Sequence, residues 1–295
     1  MSDERWFHPR GALARGAWQT VVDGEIDGWS HTGLKIAELD AGSVELGHGD
    51  EKLIIPLAGS FSVALDDGSR YALGGRASVF DGPTDVLYVG TDCTATISGT
   101  GRVAVATSPT EVSVPTRLVP ASETPVELRG SGASSRQVHN FGTPQALDAA
   151  RFIVCEVITP SENWSSYPPH KHDEYDPGYE SRLEEIYYFE SAPTKTARGV
   201  RADAAFGVFS TYSSPAGRID INAQVRTGDV VLVPFGYHGP AVAAPGYDLY
   251  YLNVMAGPDA ERVWNISDDP AHAWVRETWD GQPFDDRLPY ESTKE

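Results

Sequence analysis

Two stretches decide how this chain folds: Glu184-Glu185-Ile186-Tyr187-Tyr188-Phe189, and Gly228-Asp229-Val230-Val231-Leu232-Val233-Pro234-Phe235-Gly236-Tyr237-His238. Each is a short run of β-branched and aromatic residues with turn chemistry beside it, and the second follows Thr227-Gly228-Asp229 and stops at Pro234. Runs of this length and composition read as strands. Working outward, similar runs occupy residues 52–57, 60–64, 77–80, 86–89, 152–157 and 249–254, with Asp66-Asp67-Gly68 and Gly74-Gly75 as turns between some of them. The 29 glycines and 21 prolines punctuate the whole chain. Regular short strands with such turns predict an all-β sandwich or barrel. Long 3.6-residue periodicity is absent, and only residues 144–150 and 268–274 suggest short helical pieces.

A weak internal repeat supports two units. In the first half, Glu51-Lys52-Leu53-Ile54-Ile55 leads through Gly59 to Arg76-Ala77-Ser78-Val79-Phe80. In the second, Glu185-Ile186-Tyr187-Tyr188-Phe189 leads through Gly207 to the run from Gly228 to Val233. The polar, glycine-rich residues 127–136 are the expected join, giving units 1–130 and 131–295. A chain of 295 residues also suits two domains of roughly 150 residues each.

Lys and Arg number 23 against 42 Asp and Glu, a net charge of −19. That argues against a general nucleic-acid or anionic-membrane binder, both of which need a basic face. An anionic small molecule needs only a few local cations and stays open as a substrate. Cys93 and Cys155 have no disulfide-framework or CxxC spacing and read as reduced thiols of a cytoplasmic protein. The first residues lack the apolar segment of a signal peptide. No run approaches the about 18 apolar residues of a membrane helix.

The strongest chemical signal is Pro168-Pro169-His170-Lys171-His172, followed by the acidic opening at Glu184-Glu185 and by His238 at the end of a later strand. Alternate residues of a strand share a face, so His170 and His172 present two imidazoles together. Glu185 can add a carboxylate and His238 a third imidazole if a barrel closes. Three nitrogens and one oxygen suit a divalent ion such as Zn, Mn, Fe, Ni or Co. Glu185 is expected as the ligand because it shares a strand face with Tyr187 and Phe189, leaving Glu184 to point the other way or to lie in the preceding loop. The first half has Glu51 but no His-x-His, and its return strand ends at Asp81-Gly82-Pro83, so that unit is expected to be metal-free.

Longer stretches carry a resemblance. They are the residues from Asn163 to Glu174, from Leu183 to Tyr188, from Gly228 to Pro234 and from Ala244 to Pro258, with Gly75 to Gly82 in the first half and Trp264, Asp269, Pro270, His272 and Trp274 near the end. The chain resembles the two-barrel cupin family of 5-deoxy-glucuronate isomerases of inositol catabolism, over nearly its whole length. It is similar as well to the 5-keto-4-deoxyuronate isomerases of pectin breakdown. The resemblance implies two cupin-type barrels and an aldose–ketose isomerase that interconverts 5-deoxy-glucuronate and 5-dehydro-2-deoxy-gluconate. Carried over by motif, His170, His172, Glu185 and His238 are the metal ligands. Two departures stand out. Phe209-Ser210 replaces the family's Gln-Arg pair before Tyr212, and Gly239 stands where the family has proline after the Gly-Tyr-His triplet.

Such a reaction takes a proton next to a carbonyl, and a metal would stabilise the resulting charge. Glu184, Asp248, Tyr212 and Tyr187 are the candidate proton-transfer groups, with Glu174 a further acid. Arg182 is the expected cation for the substrate carboxylate, since alternation turns Lys171 away from the histidines. Tyr250 is a candidate wall of the substrate site. The sugar acid is the expected partner, with a homo-oligomer possible. Competing readings are an isomerase or epimerase of another uronate, a cupin oxygenase using Fe or Mn, and a non-catalytic sugar-binding protein.

Overall fold

The computed structural model describes residues 5–291. Its strands pair antiparallel throughout and build two cupin-type barrels packed side by side. The first barrel is one sheet in the order Thr20–Val22, Gly33–Leu46, Ala95–Pro109, Asp50–Leu65, Val86–Val89 and Arg117–Val119, with Arg70–Arg76 laid on Asp50–Leu65. Its long strands close the barrel by bending. The pairing of Asp50–Leu65 slips between Pro56 and Ala58, and that of Gly33–Leu46 slips between Leu39 and Gly42. An extra residue of this kind re-aims a strand from one sheet face to the next. Gly59 sits at the bend with φ +92°, and a Cβ there would lie 2.0 Å from the Thr100 carbonyl oxygen, so no other residue fits.

In the second barrel the same path is cut into separate strands. A seven-stranded sheet runs Phe7–His8, Val230–Val233, Glu184–Pro193, Tyr247–Ala256, Ile153–Thr159, Arg136–Gly142 and Val126–Arg129. Facing it are Gly217–Val225, Gly207–Ser214, Tyr237–Ala243, His170–Lys171 and Ser267–Asp268, with Trp164–Ser165 beside Tyr237–Ala243.

The expected division at residue 130 therefore needs correction. Val126–Arg129 pairs with Arg136–Gly142, so the glycine-rich stretch between them is a hairpin turn inside the second barrel and not a linker. Phe7–His8 also joins the second sheet, at Val230 and Val231. The helical pieces shift too. Residues 144–146 form a turn and 147–150 continue as irregular chain, and the helix near the end is a 3-10 segment at Ala273–Trp279.

One apolar cluster spans both barrels, including Leu34, Ile36 and Leu53 from the first and Val154, Ile158 and Leu252 from the second, and another fills the first barrel with Ile54, Val63, Ile97 and Val105. Charged groups cross the same interface. Arg76 holds Glu156 through two bonds of 2.6 and 2.7 Å, with both side chains fully buried. Glu51 accepts bonds from the amides of Ala150, Arg151 and Phe152, just ahead of the strand Ile153–Thr159. Glu184 does the reverse, receiving the amides of His31 and Thr32 ahead of Gly33–Leu46. Each barrel thus anchors the segment that enters its neighbour.

Candidate metal centre

His170 and His238 are directly paired across neighbouring strands, which brings their rings to 4.6 Å between centroids. His172 follows two residues on and its ring is also 4.6 Å from that of His238. Glu185 opens Glu184–Pro193 in the opposite sheet and points into the barrel. Its Oε2 lies 2.9 Å from Nε2 of His172 and 3.0 Å from Nε2 of His238. The ligand atoms of the three histidines lie within 4.8 Å of one another.

Main-chain carbonyls orient every ring. Nδ1 of His170 donates to Pro168, Nδ1 of His172 to Leu183 and Nδ1 of His238 to Gly236, at 3.2, 3.0 and 3.0 Å. A carbonyl can only accept, so each Nδ1 carries the proton and each Nε2 lone pair is turned to the common centre. Nε2 of His238 is buried there with no hydrogen bond of good geometry. Buried polar atoms normally find a partner, and a divalent ion among these four groups is the partner the donor set fits. Burial and the neighbouring rings of His238 and His172 hold His170 well below its ordinary pKa, the neutral form a metal ligand needs. Burial works against ionisation of Glu185, but its contacts with His172 and His238 outweigh that and hold it near 2. His172 is instead held above its usual value, burial being overcome by its contact with Glu185, so with no cation at the centre a proton can stand on Nε2 where a divalent ion would displace it.

The surroundings hold this geometry. Asp173 Oδ2 accepts from the Gly236 amide at 2.8 Å, tying the His-x-His strand to the turn before His238. Gly236 has φ +101° and a Cβ would come within 2.6 Å of Ile219 Cγ2. Lys171 does face away from the histidines and is held by Asp173, Glu174 and Glu180 at 2.8 to 3.0 Å. At Gly239 the backbone has φ +76°, which a proline cannot adopt, and a Cβ would sit 1.8 Å from the Ser166 carbonyl oxygen. Phe209 is buried against Tyr187, 4.6 Å between ring centroids, while Ser210 bonds Asn222 toward solvent.

A cavity of about 520 Å³ opens from the centre. Its wall includes His170, Glu185, Tyr187, Ser166, Tyr251 and Arg136. Tyr187 is thus the sequence-predicted proton-transfer group that borders it, with its hydroxyl 3.0 Å from Ser166 Oγ. Burial, and then the Glu185 charge, push its pKa well up. The other candidates stand elsewhere. Glu184 is spent on Ser30, His31 and Thr32 of the first barrel. Asp248 accepts from the Ser161 amide. Tyr212 donates to Asp269. Tyr250 donates to Glu156 in the interface between barrels. Glu174 is exposed and paired with Lys171. Arg182, half exposed, forms a two-point pair with Asp259 outside the cavity. The cations in the wall are Arg129, Arg136 and Arg276. The sequence hides Arg136 in a stretch with the composition of a linker; the alternation of Arg136 and Val138, both on the cavity wall, is the signal of an inward-facing strand.

A family model described as KduI/IolB family matches residues 6–275. A protein of Geobacillus thermodenitrificans named 5-deoxy-glucuronate isomerase is 38% identical over 262 residues, 87% of this chain and 90% of that protein. One of the same name from Bacillus subtilis strain 168 is 39% identical over 249 residues, covering 83% and 87%. Among solved structures, an IolB-like protein from Salmonella typhimurium superposes with TM-score 0.80 at 32% identity, covering 92% of this chain and 98% of that one. An oxalate decarboxylase of Bacillus subtilis shares the fold, with TM-score 0.58 at 11% identity and 91% and 80% coverage.

Proposed function

The chain belongs to the KduI/IolB family, and from that premise we propose that it is a 5-deoxy-glucuronate isomerase of inositol catabolism. It converts the aldose 5-deoxy-glucuronate to the ketose 5-dehydro-2-deoxy-gluconate. His170, His172, Glu185 and His238 are its metal ligands. The observation that carries the metal assignment is the convergence of three backbone-anchored imidazoles on one buried carboxylate.

The reaction shifts one proton from C2 to C1 and another from the C2 hydroxyl to the former carbonyl oxygen. A divalent ion at the centre would supply Lewis-acid polarisation of those oxygens. The protein's part is to hold the ligand set rigid and to place a donor beside the reacting carbons. Tyr187 fills that second role. Its raised pKa keeps Oη protonated at neutral pH, so it can give its proton to the carbonyl oxygen and recover one from the C2 hydroxyl, with Ser166 Oγ hydrogen-bonded to it at 3.0 Å. The cavity has the volume of a small-ligand site.

We place the enzyme in the cytoplasm, a reading supported by two free cysteines. No helix among the described residues is long and apolar enough to cross a membrane. The deciding experiment follows 5-deoxy-glucuronate by NMR under argon and under air. Conversion to the keto acid at the same rate in both supports the isomerase; oxygen-dependent loss of substrate, or none, refutes it.

A further inference from the structure

The cavity wall contains three arginines that differ in what they are bonded to. Arg129 pairs with Glu127 at 2.9 Å. Arg276 pairs with Asp268 through two nitrogens. Arg136 has no carboxylate within ion-pair distance among the described residues, and one nitrogen donates to the Ser134 carbonyl at 3.0 Å. Yet Arg136 is only 8% exposed. Its guanidinium lies 5.6 Å over the ring of Trp279, whose other neighbour is Arg276 at 5.3 Å.

A buried cation without a counter-ion is expensive. Burial, and then the nearby charges of Arg129 and Arg276, pull the Arg136 pKa down to about 10. The remaining donors of its planar fork have no acceptor among the described residues, and a fork of this shape matches a carboxylate at two points. Its strand-mate Val138 lines the same cavity as the metal ligands His170 and Glu185. An anion that reaches the metal with one end can therefore meet a positive charge with the other.

We propose that Arg136, its guanidinium over the ring of Trp279, is the specificity residue that receives the carboxylate of the sugar-acid substrate. The assignment rests on the isomerase reading above for the identity of the substrate, but carboxylate binding by Arg136 can be measured without turnover.

The test measures binding of D-glucuronate to metal-loaded protein by tryptophan fluorescence, Trp279 serving as reporter, in wild type, R136Q and R136K. Thermal melts and metal content check that each variant is folded and loaded. Affinity is expected to fall roughly 30-fold or more in R136Q and less in R136K, the scale for losing a buried charged hydrogen bond. Should R136Q fail to fold, R136K carries the test, with an expected loss of about tenfold. Glucuronate affinity unchanged in the folded variant overturns the proposal. Turnover of 5-deoxy-glucuronate by the same preparations is read separately: a wild type that binds glucuronate through Arg136 but converts nothing refutes the isomerase reading and leaves the anion site standing.

Discussion

Replacing Glu184 with alanine should unfold the protein earlier and leave the metal in place, whereas Glu185→Gln should do the opposite. The two neighbours emerge on opposite faces of one strand. Glu184 Oε1 receives the His31 amide at 2.7 Å, the Thr32 amide at 2.7 Å and the Thr32 hydroxyl at 2.9 Å. Oε2 receives the Ser30 amide at 3.3 Å. A buried donor left without an acceptor costs about 1–3 kcal/mol. The Thr32 hydroxyl can turn to another acceptor, and water can reach the half-buried amides of Ser30 and His31, so the total is about 3 kcal/mol rather than the full sum. For a protein of 295 residues that is a fall in Tm of roughly 5 °C. The melts are followed by circular dichroism in chelator, because bound metal would add its own stabilisation. Metal content is measured on separately loaded samples. Glu184→Ala with unchanged Tm and lost metal would refute the assignment of the two roles.

Three further outcomes follow from the geometry. Glu156 is held near pKa 2: burial works against its ionisation, but Arg76 and His139 outweigh it. Its folded value is below the unfolded one, so its contribution is complete above about pH 4.5 and fades as pH falls toward 2; acid melts should show that loss in wild type and not in Glu156→Gln, which at neutral pH costs roughly 3–5 kcal/mol by stranding Arg76. Gly239→Ala should weaken metal binding at least about tenfold, because its Cβ would meet the Ser166 carbonyl oxygen at 1.8 Å beside His238; competition with a fluorescent chelator reads this directly, and wild-type affinity would count against it. Tyr187→Phe should lower kcat by roughly 10²-fold with little change in KM or metal content; steady-state kinetics with an unchanged kcat would remove Tyr187 from the proton path.

Much of this site is legible in the sequence because strand alternation is a strict rule. It puts His170 and His172 together, turns Lys171 away and separates Glu185 from Glu184 without reference to any tertiary contact. The same rule explains the candidates that stand elsewhere. On the paired strands Glu184–Pro193 and Tyr247–Ala256, Glu184 is matched to Ala256, Ala192 to Asp248 and Glu190 to Tyr250, while Glu185 is matched to Met255 and Tyr187 to Asn253. Glu184, Asp248 and Tyr250 therefore belong to one face and Glu185, Tyr187, Tyr251 and Asn253 to the other. Which face holds the cavity depends on where the first barrel packs, and no local pattern encodes that. Arg182 looked suitable by nearness in sequence to the ligands, but a hairpin carries it to Asp259. Arg136 is distant in sequence, and the glycine-rich turn before it resembles a linker until its pairing with Arg129 is seen.

The most direct test is to strip the protein with chelator, add back one divalent ion in steps, and record turnover of 5-deoxy-glucuronate at each step. Zn, Mn, Fe, Ni and Co would be tried in turn. A single centre built from His170, His172, Glu185 and His238 predicts no turnover in the stripped protein and, for the competent ion, a linear rise that levels off at one equivalent per chain. Full turnover in verified metal-free protein, or reactivation that survives His238→Ala, would contradict it.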